Sequence, residues 1–453
     1  MLHVFIKDIF EDKIIIGKNI QIKGWVKNKR SSQSNLFFID IYDGSCLNTL
    51  QLVIKNNLIN RNDVLKLTSG CSIHVEGKLV SSLNLKQKFE IHVLKLNVIG
   101  WLKKSDTYPM SAKKHTMEHL RKFAHLRPRT NIIGAIARIR STVFQSIHNF
   151  FYKNNFYWVS SPIITSLNAE GAGDMFSVLN KNIDSNNFFG KNVFLTVSGQ
   201  LTIEAYACSL SKVYTFGPIF RAENSNTTRH LSEFWMLEVE LAFSNLENII
   251  ELIEKILKYI FKIILKKNYN DLFFLQNVLK LKVIKRLKNF IKSTIKKVEY
   301  LEAIEILKKN KSLFSQPIFY GIELSTDHEK FLVNEYFKEP VIIKNYPKEI
   351  KPFYMRINDD KKTVSAIDIL FPDIGEIIGG SEREERVEYL DQRIKELNLN
   401  KDDYKWYREL RLYGTVPHSG FGLGLERLIM YITGIQNIKD VIPFPRTVRN
   451  ADF

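Results

Sequence analysis

The stretch FRAENSNTTRHLSEFWMLEVE, residues 220–240, packs charge and aromatic rings together in a way that neither a solvated hairpin nor a core hairpin needs. Arg221, Glu223, Arg229, His230, Glu238 and Glu240 are interleaved with Phe220, Phe234 and Trp235. A guanidinium grips phosphate or carboxylate through its planar fork. Two residues further along a strand, Glu223 shares its face and can accept from an exocyclic amine. The combination predicts a flat, charged ligand. In GFGLGLERL, Gly420, Gly422 and Gly424 alternate along a strand and clear one face for a ligand, and Arg427 follows at a helix start, where it can stack on a base. The spacing is neither the dinucleotide fingerprint nor a P-loop. In DIGEIIGGSERE, Glu376 can hold Mg²⁺ on a triphosphate, and Arg383 follows a Gly-Gly turn. In AEGAGDMF, Glu170 sits beside two glycines, which reads as a loop closing over a substrate ammonium. Taken singly, each stretch also fits a plainer role: a cross-strand ion pair, close helix-on-sheet packing, or a backbone cap.

The elements that must position these residues follow from periodicity. Residues 1 to about 100 hold five alternating apolar runs, IQIKGWVKNKR, NLFFIDIYDG, NTLQLVIKN, CSIHVEGKLV and FEIHVLKLNVIG, separated by Gly, Asn and Ser. Five strands in that length predict a small barrel of the OB type. A polar stretch over 103–130 reads as a hinge. From 131 the apolar spacing of IGAIARIRSTVFQSIHNFFYKNNF is helical. NVFLTVSG, KVYTFGPIFRA and FWMLEVELAF then predict an antiparallel sheet, with Arg221 and Glu223 on its second strand. Residues 246 to about 310 form a Lys- and Ile-rich helical block. FYMRIND, VSAIDILFP and GEIIGGS return to strand, and SEREERVEYLDQRIKEL reads as a helix opened by Ser381.

Composition bounds the partners. The chain has 453 residues, of which 45% are hydrophobic and 25% charged, as in an ordinary globular protein of two to four domains. A formal charge of +18 favours a polyanion, nucleic acid first, although the lysine preference of an A+T-rich genome produces the same excess. Three cysteines, Cys46, Cys71 and Cys208, lie far apart with no CxxC pair, which argues against a zinc site or a disulfide framework. There is no signal-peptide core and no apolar run near the ~20 residues of a membrane span. The expected compartment is the cytoplasm.

Together the motifs make a recognisable set. FGPIFRAENSNTTRHLSEFWMLEVE resembles motif 2 of the class II aminoacyl-tRNA synthetases, GFGLGLERL resembles motif 3, and the stretch around Pro162 resembles motif 1, which builds that class's dimer interface. VSGQLTIEAYACSLSKVYTFGPIFRAENSNTTRHLSEFWMLE and GEIIGGSEREER resemble the asparaginyl-tRNA synthetases of subclass IIb. The resemblance spans nearly the whole chain, least so over 246–310. It implies an α+β architecture: a five-stranded OB-fold anticodon-binding barrel at 1–102 and a class II catalytic domain at 131–453, an antiparallel sheet flanked by helices. It implies a homodimer that uses ATP and Mg²⁺ to join L-asparagine to tRNA(Asn).

The resemblance also implies roles. Arg221 bridges the amino-acid carboxylate and the α-phosphate; Glu223 accepts from the adenine amine; His230 and Phe234 contact the γ-phosphate and the adenine; Arg427 covers the other face of the base. Arg229 and Gly424 complete the ATP site, and Glu376 is the Mg²⁺ ligand. Glu170, Ser198, Gln200, Arg221, Glu238 and Arg383 form the amino-acid site. Aspartyl enzymes of the subclass carry a lysine three residues after the glutamine of this motif, where this chain has Ile203. Without that cation a second buried anion is costly, so a neutral amide fits better, with Glu238 accepting from its NH₂ and Arg383 donating to its carbonyl. Gly379 stands where aspartyl enzymes often have a metal-binding serine. In the barrel, Arg30, Phe38 and Gln51 match the residues that read the middle anticodon base. An aspartyl enzyme of relaxed tRNA specificity, an ATP-dependent asparagine synthetase on the same sheet, and a non-catalytic RNA-binding paralogue are the competing readings. Ile203 argues against the first, the barrel against the second, and the intact Arg221, Glu223, Glu376 and Arg427 against the third.

Overall fold

The computed structural model describes residues 2–32, 36–55, 59–82, 87–110, 115–169, 174–179 and 188–453. Two compact units divide the chain, Met1–Ala137 and Arg138–Phe453.

The first unit is built on strands β1 (Asn19–Ser31), β2 (Leu36–Tyr42), β3 (Leu50–Lys55), β4 (Ser72–Ser81) and β5 (Phe89–Gly100). They pair in the order β1-β2-β3-β5-β4, and β4 pairs back onto β1, so the barrel closes; Leu2–His3 adds a short parallel strand beside β1. Closure removes the unpaired sheet edge. Alternation decides what is inside. Ile20, Ile22 and Val26 of β1, Phe37, Ile39 and Ile41 of β2, and Leu50, Leu52 and Ile54 of β3 are buried in one core. The residues between them, Phe38 and Asp40, face out and are half-buried. Short helical pieces at Ser105–Thr107, Met117–Lys122 and Arg127–Arg129 occupy the polar stretch that follows. The boundary between the units falls within the long helix α1 (Asn131–Lys153).

The second unit is an eight-stranded sheet with helices. Its strands are β6 (Tyr157–Trp158), β7 (Lys212–Phe220), β8 (Glu233–Ala242), β9 (Lys296–Glu299), β10 (Val341–Pro347), β11 (Thr363–Phe371), β12 (Gly375–Glu382) and β13 (His418–Gly424). The order is β9-β10-β11-β12-β13-β8-β7-β6. Only the end strands β6 and β9 pair in parallel; the six between are antiparallel. Helix α2 (Gln200–Leu210) precedes β7.

The Lys- and Ile-rich block forms helices α3 (Leu246–Lys267), α4 (Tyr269–Leu279) and α5 (Val283–Lys292), then β9, which the helical reading of 246–310 missed. Asn245 and Asn248 form a reciprocal capping box at the start of α3. The α3 residues Ile249, Ile253, Ile256, Ile260 and Ile264, spaced at three and four, form its buried stripe. Phe261 of α3 meets Phe290 of α5 at 5.1 Å between ring centroids. Phe371 of β11 meets Tyr431 of α8 (Leu425–Thr433) at 4.8 Å, tying that helix to the sheet.

Five sequence expectations are corrected. NVFLTVSG contributes only Phe194–Leu195, paired with Ile164–Thr165 in a separate two-stranded sheet, and Gly379 and Gly380 lie within β12 rather than in a turn. The helix expected to open at Ser381 begins at Val387, as α6 (Val387–Glu396). Residues Ser381 and Glu382 remain in β12 because they pair with Gly420 and Ser419 of β13. Strand β7 ends at Phe220, so Arg221 and Glu223 lie beyond it in the connection to β8 rather than on the strand. FYMRIND forms only isolated bridges, Met355 to Arg383 and Ile357 to Val364. Local alternation cannot distinguish a strand from an extended segment that lacks a ladder partner.

Candidate active site

A cleft of about 520 Å³ opens over β8, β12 and β13. Of the residues assigned to the ATP and amino-acid sites, Ser198, Gln200, Arg221, Glu223, Arg229, His230, Phe234, Glu238, Glu376, Arg383, Gly424 and Arg427 all line it. Glu170 lies outside the described residues.

The β7–β8 connection shapes one part. Ile219 pairs with Phe234 across the hairpin, so the chain leaving β7 passes beside Phe234. The Arg221 backbone N–H donates to Ser232 O at 3.0 Å, and its guanidinium lies 5.5 Å from the centroid of the Phe234 ring. A cation over an aromatic face is held in place, which presents the guanidinium to the cleft. The His230 ring nitrogen Nδ1 sits 2.6 Å from Thr227 Oγ1 and 3.1 Å from Ser225 Oγ. Burial, then the charges of Arg427 and Arg229, lower the His230 pKa. Arg229 donates to Thr326 Oγ1 at 2.7 Å and pairs with Glu329 at 3.1 Å.

The β11–β12 pair brings anions in. Arg427, in the first turn of α8, donates to Glu376 O at 2.7 Å and lies 3.4 Å from its Oε2. Burial works to raise the Glu376 pKa, but Arg427, Lys351, Arg221 and Arg229 outweigh it and hold the carboxyl below its ordinary range. Asp368 is the one acidic residue of the apolar strand β11 and pairs in register with Gly379. A Cβ at Gly379 would lie 3.3 Å from Glu376 Oε1 and 3.4 Å from Asp368 Oδ1, so both carboxylates approach the space above that glycine. Lys351 Nζ bonds Asp368 at 2.6 Å. Two carboxylates are the donor set that Mg²⁺ takes when phosphates and water complete its shell. Glu329, whose carboxylate accepts from Glu376 N at 3.2 Å, is pushed up to about 7 by burial and by the Glu376 charge.

The third part lies over β8 and β13. Glu238 accepts from Gly199 N at 2.9 and 3.1 Å and from Ser198 Oγ. Those groups sit at the start of α2, so the carboxylate is anchored at a helix N-terminus. Arg383 forks onto Glu240 and donates through Nη1 to Ser381 Oγ at 2.6 Å. Gly420 is required by that fork: a Cβ there would lie 2.2 Å from Glu240 Oε1 and 2.3 Å from Val239 O. Gln200 Nε2 donates to Glu204 at 3.0 Å. Ile203, where a lysine reads aspartate in the aspartyl enzymes, is fully buried against Ala207 and Val213.

Sequence reasoning did not single out Asp368, Lys351, Glu329 or Glu204. Asp368 carried a usable signal, a lone acid in an apolar strand. Lys351 and Glu329 lie far from the motifs in sequence; Glu204 sits inside one, next to Ile203, but its partners are some two hundred residues away. In the barrel, Arg30 and Phe38 are register partners across β1 and β2, with the guanidinium 5.6 Å from the ring centroid. Arg30 Nη2 donates to Gln51 Oε1 at 2.7 Å, so the three residues form one group on the face away from the barrel core, with Gln51 itself buried beneath Arg30.

Residues 116–448 match the family described as tRNA synthetases class II (D, K and N), and residues 20–99 match the OB-fold nucleic acid binding domain. The chain is 57% identical over 466 residues to the asparagine–tRNA ligase of Buchnera aphidicola subsp. Acyrthosiphon pisum, covering 100% of both. It is 52% identical over 459 residues to that of Pectobacterium atrosepticum, covering 98% of both. Among solved structures, asparaginyl-tRNA synthetase from Pyrococcus horikoshii complexed with asparaginyl-adenylate superposes with a TM-score of 0.88 at 32% identity, covering 98% of each chain. The OB-fold barrel, the antiparallel sheet with its charged cleft, and these full-length likenesses place the chain in the class II aminoacyl-tRNA synthetases, among the asparagine–tRNA ligases.

Proposed function

We infer that this protein is an asparagine–tRNA ligase. It joins L-asparagine to ATP as asparaginyl-adenylate with release of pyrophosphate, then transfers the asparaginyl group to tRNA(Asn) with release of AMP. In the first step an asparagine carboxylate oxygen attacks the α-phosphorus, and the bond to the pyrophosphate oxygen breaks. The protein's part is to position the reactants and neutralise charge. Arg221, held over Phe234, faces the developing charge on the α-phosphate. Glu223 accepts from the adenine amine, Phe234 and Arg427 hold the base, and Arg229, His230 and the open strand at Gly424 accommodate the phosphates. Asp368 and Glu376 hold Mg²⁺, which, when bound, supplies charge neutralisation on the triphosphate.

Selection of the amino acid rests on one observation: Glu238 is anchored at the head of α2, while Arg383, a buried cation lining the same cleft, is already forked onto Glu240. An aspartate side chain would meet an anion there without a free counter-charge, whereas an asparagine NH₂ finds an acceptor. Gln200, Ser198 and Glu170 serve the remaining polar groups of the substrate. ATP–pyrophosphate exchange, run with asparagine and with aspartate in separate reactions, tests the reading. Exchange with asparagine alone is expected, and the Glu238→Gln variant should lose it by ~10²-fold or more, since both the acceptor charge and its anchor change. Exchange with aspartate at a comparable rate would overturn the assignment.

The group Arg30–Phe38–Gln51 is proposed as the anticodon contact. A homodimer is proposed from the sheet edge: Tyr157 and Trp158 of β6 are 60% and 55% exposed, with Tyr152 of α1 81% exposed nearby in sequence. Exposed aromatic surface of that kind marks an association site. The cytoplasm is the proposed compartment. Among the described residues, no helix is long and apolar enough to cross a membrane.

A further inference from the structure

Behind the amino-acid part of the cleft lies a buried polar cluster that the activation chemistry above does not use. Glu204, on α2, is completely buried and does not line the cleft. Its carboxylate takes the Tyr407 hydroxyl at 2.7 and 2.9 Å, Arg411 Nη2 at 3.0 Å, Gln200 Nε2 at 3.0 Å, and faces His418 Nε2 at 3.1 Å. Four partners saturate the roughly four acceptor positions of a carboxylate. They come from three distant parts of the chain: α2, helix α7 (Lys405–Leu412) and strand β13. Arg383 Nε lies 4.0 Å away, so the residue forked onto Glu240 also feels Glu204.

The cluster sets Arg383, Arg411 and His418, whose Nδ1 and Nε2 both face acceptors (Val416 O and Glu204), against two carboxylates. The guanidinium groups of Arg383 and Arg411 stand against the carboxylates of Glu240 and Glu204. Burial works to raise the Glu204 pKa, but Arg411 and His418 outweigh it and hold it ionised. The two-pronged contact of Arg383 with Glu240 is the geometry of a guanidinium–carboxylate ion pair. Two members of the network, Gln200 and Arg383, face the cleft. A change of one charge at Glu204 therefore acts at short range, through a medium that screens poorly, on the groups that meet the substrate.

We propose that Glu204 is a specificity-determining positioning residue: it supplies counter-charge to the cations beneath the amino-acid site and it holds Gln200, so that a neutral side chain is accepted and an anionic one refused. The inference rests on the reading of the chain as an asparagine-selecting enzyme and names the residue that sets the selection from below. With Glu204 neutral, the cluster of Arg383, Arg411 and His418 gains one net positive charge, and an aspartate carboxylate gains a cation to face.

The test compares kcat/KM in ATP–pyrophosphate exchange for asparagine and aspartate. Glu204→Gln keeps the shape and removes the charge. The expected result is a raised KM for asparagine, with the aspartate-to-asparagine ratio of kcat/KM rising by roughly tenfold or more. Glu204→Asp, which keeps the charge, should return the ratio toward that of the unaltered protein. The double variant Glu204→Gln/Arg411→Met removes one charge of each sign. Replacing both members of a buried ion pair by uncharged groups is tolerated better than removing one, so this protein serves even where the single variant fails to fold. Its ratio should match that of the unaltered protein. A parallel fall for both amino acids in Glu204→Gln would mean a purely structural residue, and a raised ratio in the double variant would remove charge as the cause; either overturns the proposal. Aspartate activated as well as asparagine by the unaltered protein would instead sink the asparagine reading itself.

Discussion

Glu329 shows how a single residue near the cleft makes stability depend on pH. Its carboxyl is pushed up to about 7 by burial and by Glu376, against an ordinary value of 4.5. In the unfolded chain it ionises at the ordinary value. Between pH 4.5 and about 7 the unfolded state therefore loses its proton first, and the stability held below pH 4.5 is lost as pH rises through the folded value. Glu329→Gln removes that dependence. Urea unfolding of the variant and the unaltered protein at pH 5 and pH 8 should show the variant gaining on the unaltered protein by roughly 1–3 kcal/mol at the higher pH, less whatever Arg229 loses with its partner. A constant difference across that range would contradict the assignment. The same scale holds what motif reading does well. Arg221, Glu376 and Arg427 could be named because their residue types are written into short stretches. Asp368 could have been named from its isolation in an apolar strand, but its partner at Gly379 is a property of β11–β12 register.

At the scale of elements, the β8–β13 pair carries the tightest packing in the site. Gly420→Ala would set a methyl group 2.2 Å from the Glu240 carboxylate and 2.3 Å from a backbone oxygen, contacts that only movement of the strands relieves. The expected outcome is loss of ATP–pyrophosphate exchange by more than ~10²-fold with a lowered melting temperature. Gly424, where a Cβ would meet its nearest atoms at 3.8 and 3.9 Å, should tolerate Ala with no such drop in melting temperature. Helix α3 offers a contrast. Asn245→Ala removes one side of its capping box and should cost about 1 kcal/mol, read as a small fall in melting temperature with exchange unchanged. The Lys- and Ile-rich run of α3 was visible as a helical pattern, while its capping box at Asn245 was not singled out. The end of β12 was not: SEREER carries good helix-start residues, yet ladder bonds to β13 keep Ser381 and Glu382 extended, and tertiary pairing overrides local propensity.

Across the whole molecule, the proposed anticodon contact and the cleft lie in different units. Stacking of one base on an aromatic ring is worth ~1–3 kcal/mol. Phe38→Ala is therefore expected to raise the KM for tRNA(Asn) by roughly 5- to 150-fold while leaving ATP–pyrophosphate exchange with asparagine unchanged, because exchange needs no tRNA. Sedimentation of the Trp158→Glu variant should likewise shift toward monomer if β6 lies at a dimer interface. The amino-acid sequence by itself determined the five-strand alternation of the barrel, the long amphipathic helices, and the residue types of the charged motifs that line the cleft, since these depend on neighbours within a few positions. Only the tertiary structure decided where β7 and β12 end, that Arg383 pairs with Glu240, that Asp368 joins Glu376 over Gly379, and that Glu204 gathers Arg411, Tyr407 and His418 from some two hundred residues away. Those contacts are set by sheet register and by the need to neutralise buried charge, and neither leaves a periodic trace along the chain.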